Sequence, residues 1–319
     1  MRTMVKVVGV LALLAGIAFP AWAITDGEPD GNDHPQVGQL LFYVPDAIDP
    51  RFNDPGAWFS CSGTLLSGGR VLTAGHCTFA VGLDGATTNT AGSPLVDTDD
   101  DGVADNGTGG DDIWVNFEEA PDFGILPPSS TFVPDNNADR YVAWVAALNA
   151  SNEWHHGTAN PHPDYNDNAF VLADAGIVML DGDPGVGAVG ALPIVGHLDQ
   201  YKSARRNDTR FTPVGYGLNT GFPSFLGGDT RENASVMLVS LEGTFGIPTG
   251  TSVVFSSNPG KSHTGGTCFG DSGGPVFEGD TNLIMAVTSF GITLNCVEPG
   301  GYYRIDQPDD LAFINSFAP

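Results

Sequence analysis

A serine set among glycines and a histidine beside a cysteine are the groups in this chain best suited to acyl chemistry. Gly270-Asp271-Ser272-Gly273-Gly274-Pro275 places a hydroxyl in a tight turn that glycine neighbours permit, where backbone N–H groups can converge on a reacting carbonyl. Leu72-Thr73-Ala74-Gly75-His76-Cys77 ends an apolar run in small residues and presents an imidazole, the side chain best matched to taking a hydroxyl proton near neutral pH. The serine motif also fits the Gly-x-Ser-x-Gly pattern of α/β-hydrolases. In that fold the histidine follows the serine, whereas the last histidine here is His263. His76 therefore stands as the partner of Ser272.

The cysteines pin both motifs. Cys61 and Cys77 are 16 apart and Cys268 and Cys296 are 28 apart, with no Cys-x-x-Cys zinc spacing. Three pairings exist on paper. Cys61–Cys77 and Cys268–Cys296 are favoured, each closing a loop whose cross-link contributes roughly 3 kcal/mol in the chain-entropy model. Disulfides need an oxidising compartment, and the start of the chain supplies the route. Arg2 and Lys6 form a positive region, Val7 to Phe19 an apolar run too short to span a bilayer, and Ala21-Trp22-Ala23 a small-x-small cleavage site. Residues 1–23 are thus expected to be a signal peptide, the mature chain to begin at Ile24, and the protein to be secreted, extracellular or periplasmic. No later run is long enough for a membrane helix, so no membrane contact is expected after cleavage.

To position Ser272 and His76 the chain offers short strands. Gln36 to Val44, Thr64 to Leu66, Val71 to Thr73, Tyr141 to Leu148, Ile177 to Leu180, Val236 to Leu241 and Leu283 to Phe290 are apolar or alternating runs separated by Gly, Pro, Asn and Asp. Helical spacing is confined to the C-terminus, where Asp306 is suited to cap, Asp309 and Asp310 occupy a first turn, and Leu311, Ile314 and Phe317 recur every three residues. Many short strands predict an all-β barrel or sandwich. A hydrophobic fraction of 41% supports a real core, while 38 acidic against 12 basic residues disfavour nucleic acid and anionic lipid as partners.

Thr73-Ala74-Gly75-His76-Cys77 and Gly270-Asp271-Ser272-Gly273-Gly274-Pro275, in this order, resemble the two signatures of secreted serine proteases of the chymotrypsin (trypsin-like) family. The likeness continues through His162-Pro163-Asp164-Tyr165-Asn166, Val214-Gly215-Tyr216-Gly217, Ser289-Phe290-Gly291 and Tyr303-Arg304-Ile305. Tyr216 and Phe290 stand where the family usually has Trp. The resemblance covers essentially Ile24 to Phe317 outside an acidic stretch. It implies two antiparallel six-stranded β-barrels with a C-terminal helix: residues 24–195 as the N-terminal barrel with an insertion at about 78–160, and 196–319 as the C-terminal barrel and helix.

The same resemblance implies a serine endopeptidase. Its third triad member would be Asp174, before the strand-like Ala175 to Leu180; Asp167 sits in a polar turn and Asp181 past the strand. His76 would act as base, Ser272 as nucleophile, Asp174 as orienting anion, and the N–H groups of Gly270 and Ser272 as the oxyanion hole, with no catalytic cofactor. Family alignment puts Gly266 at the base of the specificity pocket, Thr267 beside it, Ser289 to Gly291 along one wall and Gly300 on the other. Without an acid at the base, an uncharged or apolar residue before the scissile bond is expected rather than Lys or Arg. A liberated Ile24 ammonium would pair with Asp271, with no separate activation peptide. Expected partners are protein or peptide substrates and protein inhibitors, and the protein is expected to be a monomer.

One stretch stands apart. Between Thr78 and Ile113 the chain is rich in Gly, Asp, Asn and Thr, and Asp97, Asp99, Asp101, Val103 and Asp105, with Gly102, match successive ligand positions of an EF-hand-type calcium loop. Thr108 replaces the closing Glu, and Asp111 or Asp112 would complete the shell. A structural calcium ion is the expectation, against a merely solvated acidic loop. His155 and His156 lack a matched acid cluster and are assigned no zinc. The competing class is a catalytically silent, calcium-dependent binding or adhesion protein on the same fold.

Overall fold

Runs of branched and aromatic residues broken by Gly, Asn and Asp fold into fourteen short strands among the described residues of the computed structural model, which are 24–45, 47–82, 109–166, 172–202, 209–221, 223–241, 250–257, 264–291, 293–297 and 299–319. Six strands close the first barrel in the order β2-β3-β4-β7-β6-β5: β2 (Val37–Val44), β3 (Ala57–Leu66), β4 (Arg70–Thr73), β5 (Ile113–Asn116), β6 (Trp154–Pro161) and β7 (Gly176–Leu180). Inward side chains such as Leu40, Phe42, Val71, Ile113, Val115 and Val178 fill it.

The second sheet has eight strands in the order β1-β9-β8-β10-β11-β14-β13-β12. They are β1 (Glu28–Pro29), β8 (Arg210–Gly215), β9 (Glu232–Asn233), β10 (Val236–Ser240), β11 (Ser252–Phe255), β12 (Pro275–Glu278), β13 (Ile284–Phe290) and β14 (Gly300–Arg304). β8 also pairs with β12, Val276 opposite Pro213, so six of the eight strands run round in a ring of pairings. All pairings between these strands are antiparallel. A third apolar layer joins the two halves, with Val37, Leu72 and Ile177 packing on Val214, Phe277, Val287 and Tyr303.

Two α-helices complete the fold among the described residues. The C-terminal one, α2 (Pro308–Ser316), buries Leu311 and Ile314 and is tied to the first barrel where Arg70 Nη1 donates to the Ile314 carbonyl at 2.9 Å. Gln307, not Asp306, is its N-cap residue. The Asp306 carboxylate instead accepts from Arg304 at 2.8 Å and from the Leu198 N–H at 2.8 Å. A charged partner outbids the helix end for it.

The run Tyr141 to Leu148, expected as a strand, lies within a helix, α1 (Asn137–Ala150). Arg140, Trp144 and Leu148 recur every four residues and face inward, with Leu148 and Trp144 packing on the Trp114 and Trp154 cluster, while Val142 is 64% exposed. Alanine, the best helix former, supplies five of its fourteen residues. Within the stretch expected as an insertion, the described residues supply β5, α1 and most of β6. Residues 83–108, including Asp97, Asp99, Asp101, Val103 and Asp105, lie outside the described residues, as do 1–23.

The segment after Ile24 is anchored by a buried ion pair. Arg231 Nε donates to Asp30 Oδ2 at 2.9 Å, and its Nη1 donates to the carbonyls of Val37 and Phe117. Burial pushes the Asp30 carboxyl up, but hydrogen bonds from His34 and Arg231 outweigh it and hold it at about 2.

Candidate active site

His76 sits in a single 3-10 turn, Gly75–Cys77, directly after β4. The turn is closed by the Thr78 hydroxyl donating to the Gly75 carbonyl at 2.8 Å and by the Cys61–Cys77 disulfide. Asp174 enters just before β7 through a bend in which Ala173 adopts φ +52° and the Ala175 N–H donates to the Ala173 carbonyl at 2.7 Å. A left-handed alanine is strained, and such strain marks a position that its surroundings over-determine. What it positions is a carboxylate with no solvent exposure.

Asp174 gathers donors from both halves of the molecule. His76 Nδ1 lies 3.1 Å from each carboxylate oxygen, and the His76 backbone N–H donates to Oδ1 at 2.9 Å. Ser289, at the end of β13, donates its hydroxyl to Oδ2 at 2.5 Å. Expected as pocket wall, Ser289 does line the pocket, yet its Oγ is committed to the buried anion. The contact favours the tautomer with the proton on Nδ1, in which Nε2 is the acceptor nitrogen.

Ser272 occupies the bend before β12. Gly273 takes φ +76°, and a Cβ there would lie 2.0 Å from Thr73 Oγ1 and 2.6 Å from the Ala74 nitrogen. Only a residue without a side chain lets this loop press against the strand that delivers His76. Ser62 of β3 stitches the same contact: its N–H donates to the Ser272 carbonyl at 2.8 Å, and its hydroxyl donates to the Gly270 carbonyl at 2.9 Å. Ser62 was not singled out in the sequence, since no local pattern marks a serine that acts across 208 residues. His76 and Ser272 line one cavity. Among the described residues, neither the Gly270 nor the Ser272 N–H is taken by another protein group.

Asp271 is fully buried and accepts from the Gly217 N–H at 2.9 Å and the Cys268 N–H at 2.8 Å. With no cation beside it among the described residues, burial pushes its carboxyl up to about 7, against the pull of those two N–H groups. Ile24 is also fully buried, its neighbour Thr25 bridged to Gly266. In the full chain its nitrogen is a peptide nitrogen, and no ion pair joins it to Asp271.

A pocket of about 280 Å³ opens beside Ser272, lined by Thr267, Ser289, Phe290, Gly291 and Gly300 among others, with no charged side chain among the described residues. Gly266 is not part of this lining: it pairs with Thr25, and a Cβ on it would fall 2.1 Å from Ser257 Oγ. Cys268–Cys296 forms the second disulfide and lies in the pocket wall. The one cluster of metal-type ligands among the described residues, Cys61, His76 and Cys77, has both sulfurs consumed by a disulfide. His156 Nδ1 lies 2.6 Å from Asp181 Oδ2 and its Nε2 2.6 Å from the Asp111 carbonyl.

A family model described as Trypsin matches residues 135–310. Two solved structures share the fold: HL collagenase, 16% identical over 93% of this chain and 96% of that one with a TM-score of 0.53, and GrC, 15% identical over 92% of this chain and 97% of that one with a TM-score of 0.53. No curated protein matches the chain in sequence.

Proposed function

Because the chain belongs to the trypsin family of serine endopeptidases, we propose that it is a secreted endopeptidase whose catalytic triad is His76, Asp174 and Ser272. The observation that carries this reading is the buried Asp174 carboxylate holding the His76 imidazole at 3.1 Å on the wall of a cavity that Ser272 shares. Ser272 Oγ attacks the scissile carbonyl as its proton passes to His76 Nε2, and Asp174 stabilises the resulting imidazolium. The N–H groups of Gly270 and Ser272 receive the oxyanion. His76 returns its proton to the departing amine; water, deprotonated by His76 in turn, then releases the acyl group and restores Ser272.

Among the described residues the pocket lining carries no charge, which supports a preference for an uncharged or apolar residue before the scissile bond, since a buried Lys or Arg finds no counter-ion in that lining. Release of residues 1–23 would free the Ile24 ammonium to pair with Asp271. The protein acts as a monomer on proteins or peptides, with residues 24–195 and 196–319 as its two halves, and is open to protein inhibitors. Asp97, Asp99, Asp101, Val103 and Asp105 are read, on spacing, as holding a structural calcium ion outside the chemistry.

Covalent labelling with a serine-directed organophosphate tests the reading. Wild type is expected to label and Ser272→Ala to stay silent, with peptide hydrolysis reduced on the order of a million-fold. Chelation is expected to lower Tm without blocking the label at room temperature. Silence in wild type would return the binding-protein alternative.

A further inference from the structure

Asp310, in the first turn of α2, is fully buried and takes no part in the chemistry described above. Both its carboxylate oxygens accept from the Tyr303 hydroxyl, at 3.0 and 3.2 Å, and His162 Nε2 lies 3.9 Å from Oδ1. All three side chains are buried. His162 Nδ1 accepts from the Asp164 N–H at 3.1 Å, so the ring proton sits on Nε2 and faces the acid. The ring also meets Phe313 of α2 edge-on, with centroids 4.8 Å apart.

The same histidine is bonded to the residue that follows Asp174. Its backbone N–H donates to the Ala175 carbonyl at 2.8 Å, and the Ala175 N–H in turn donates to Ala173, the residue held at φ +52°. Strain of that kind persists only where the surroundings fix it. Tyr303 belongs to the other half of the molecule, where it pairs with Val287, two residues before the Ser289 whose hydroxyl reaches Asp174. Its own hydroxyl is pushed up by burial first, then by Asp310, and also by Asp174. Tyr303 feels both acids.

We propose that Asp310 is a positioning residue of the triad, acting through His162 and Tyr303 to hold the backbone that presents Asp174 to His76; the inference rests on the hydrolase reading of Ser272. Burial, with Asp309 and Asp306 adding to it, raises the Asp310 carboxyl to about 7 against the Tyr303 hydrogen bond. Burial also lowers His162 from its ordinary 6.5, against the pull of Asp164 and Asp309. Just below pH 7 both partners are neutral, so shape and hydrogen bonds hold the cluster rather than charge.

Peptide hydrolysis per active site, with sites counted by the organophosphate label, tests this. Asp310→Ala leaves the Tyr303 hydroxyl without its acceptor and His162 without the group it faces. It is expected to lower kcat about tenfold or more with KM within about twofold, since the pocket beside Ser272 is untouched. A loosened Asp174 stabilises the His76 imidazolium less, so the acid limb of kcat/KM is expected to move down by about half a pH unit. Asp310→Asn copies the neutral acid and is expected to keep both wild-type values. Leu311→Ala, buried on the same helix, is expected to lower Tm alone. If Asp310→Ala does not fold, His162→Phe carries the test: it keeps a ring against Phe313, loses both nitrogens and is expected to show the same drop and shift. Wild-type kcat or an unmoved acid limb in these variants, whatever their Tm, would overturn this inference alone. No hydrolysis by wild type would overturn the hydrolase reading and this inference with it.

Discussion

Asp271 is the residue whose protonation depends most on how the chain is processed. Its carboxyl is raised from an ordinary 3.8 to about 7 because it is buried with two backbone N–H groups and no cation. In the uncleaved chain the folded state therefore holds a proton between pH 4 and 7 that the unfolded state has lost, so stability falls as pH rises through that window and levels off above it. A free Ile24 ammonium beside Asp271 would keep it ionised and remove that slope. Asp310, also raised to about 7 by burial, contributes with the same sign in both forms and cancels in the comparison. Melting curves of the uncleaved chain and of the form beginning at Ile24 are thus expected to diverge from pH 4 to 7, by a few kcal/mol at most given about 1.4 kcal/mol per unit. Parallel curves would deny Ile24 its role.

At α1 the same six residues of spacing have opposite meanings in the two regular structures. Val142 and Leu148 would share one face of a strand, where side chains repeat every second residue, but lie on different faces of a helix. The observed helix leaves Val142 64% exposed and Leu148 fully buried. Leu148→Ala is expected to cost about 2–5 kcal/mol through the cavity it leaves, and Val142→Ala to stay within about 0.5 kcal/mol, as read from denaturant unfolding. Similar losses at both positions would contradict the helix. The alternation expected there failed because valine and tyrosine carry strand propensity while packing against Trp114 and Trp154 rewards the four-residue period.

The candidate active site lies where the two halves press together, and Gly273 sets how closely. A Cβ at 2.0 Å from Thr73 Oγ1 would force the Ser272 loop away from the His76 strand. Gly273→Ala is therefore expected to lower activity at least tenfold and Tm as well, while Gly187→Ala, where a Cβ meets nothing within 4 Å, changes neither; assays of both variants check this. Equal behaviour would remove the close approach from the account. Much of this arrangement was legible in the chain. His76, Ser272 and the two local disulfides announce themselves because glycine turns and nearby cysteines work over a few residues, and the strand rhythm follows from alternating side chains. Ser62 on the Gly270 carbonyl and the Ser289 hydroxyl on Asp174 could not be read that way. Those contacts span 208 and 115 residues, and their partners are chosen by which surfaces meet when the two halves pack, a choice that no local spacing records.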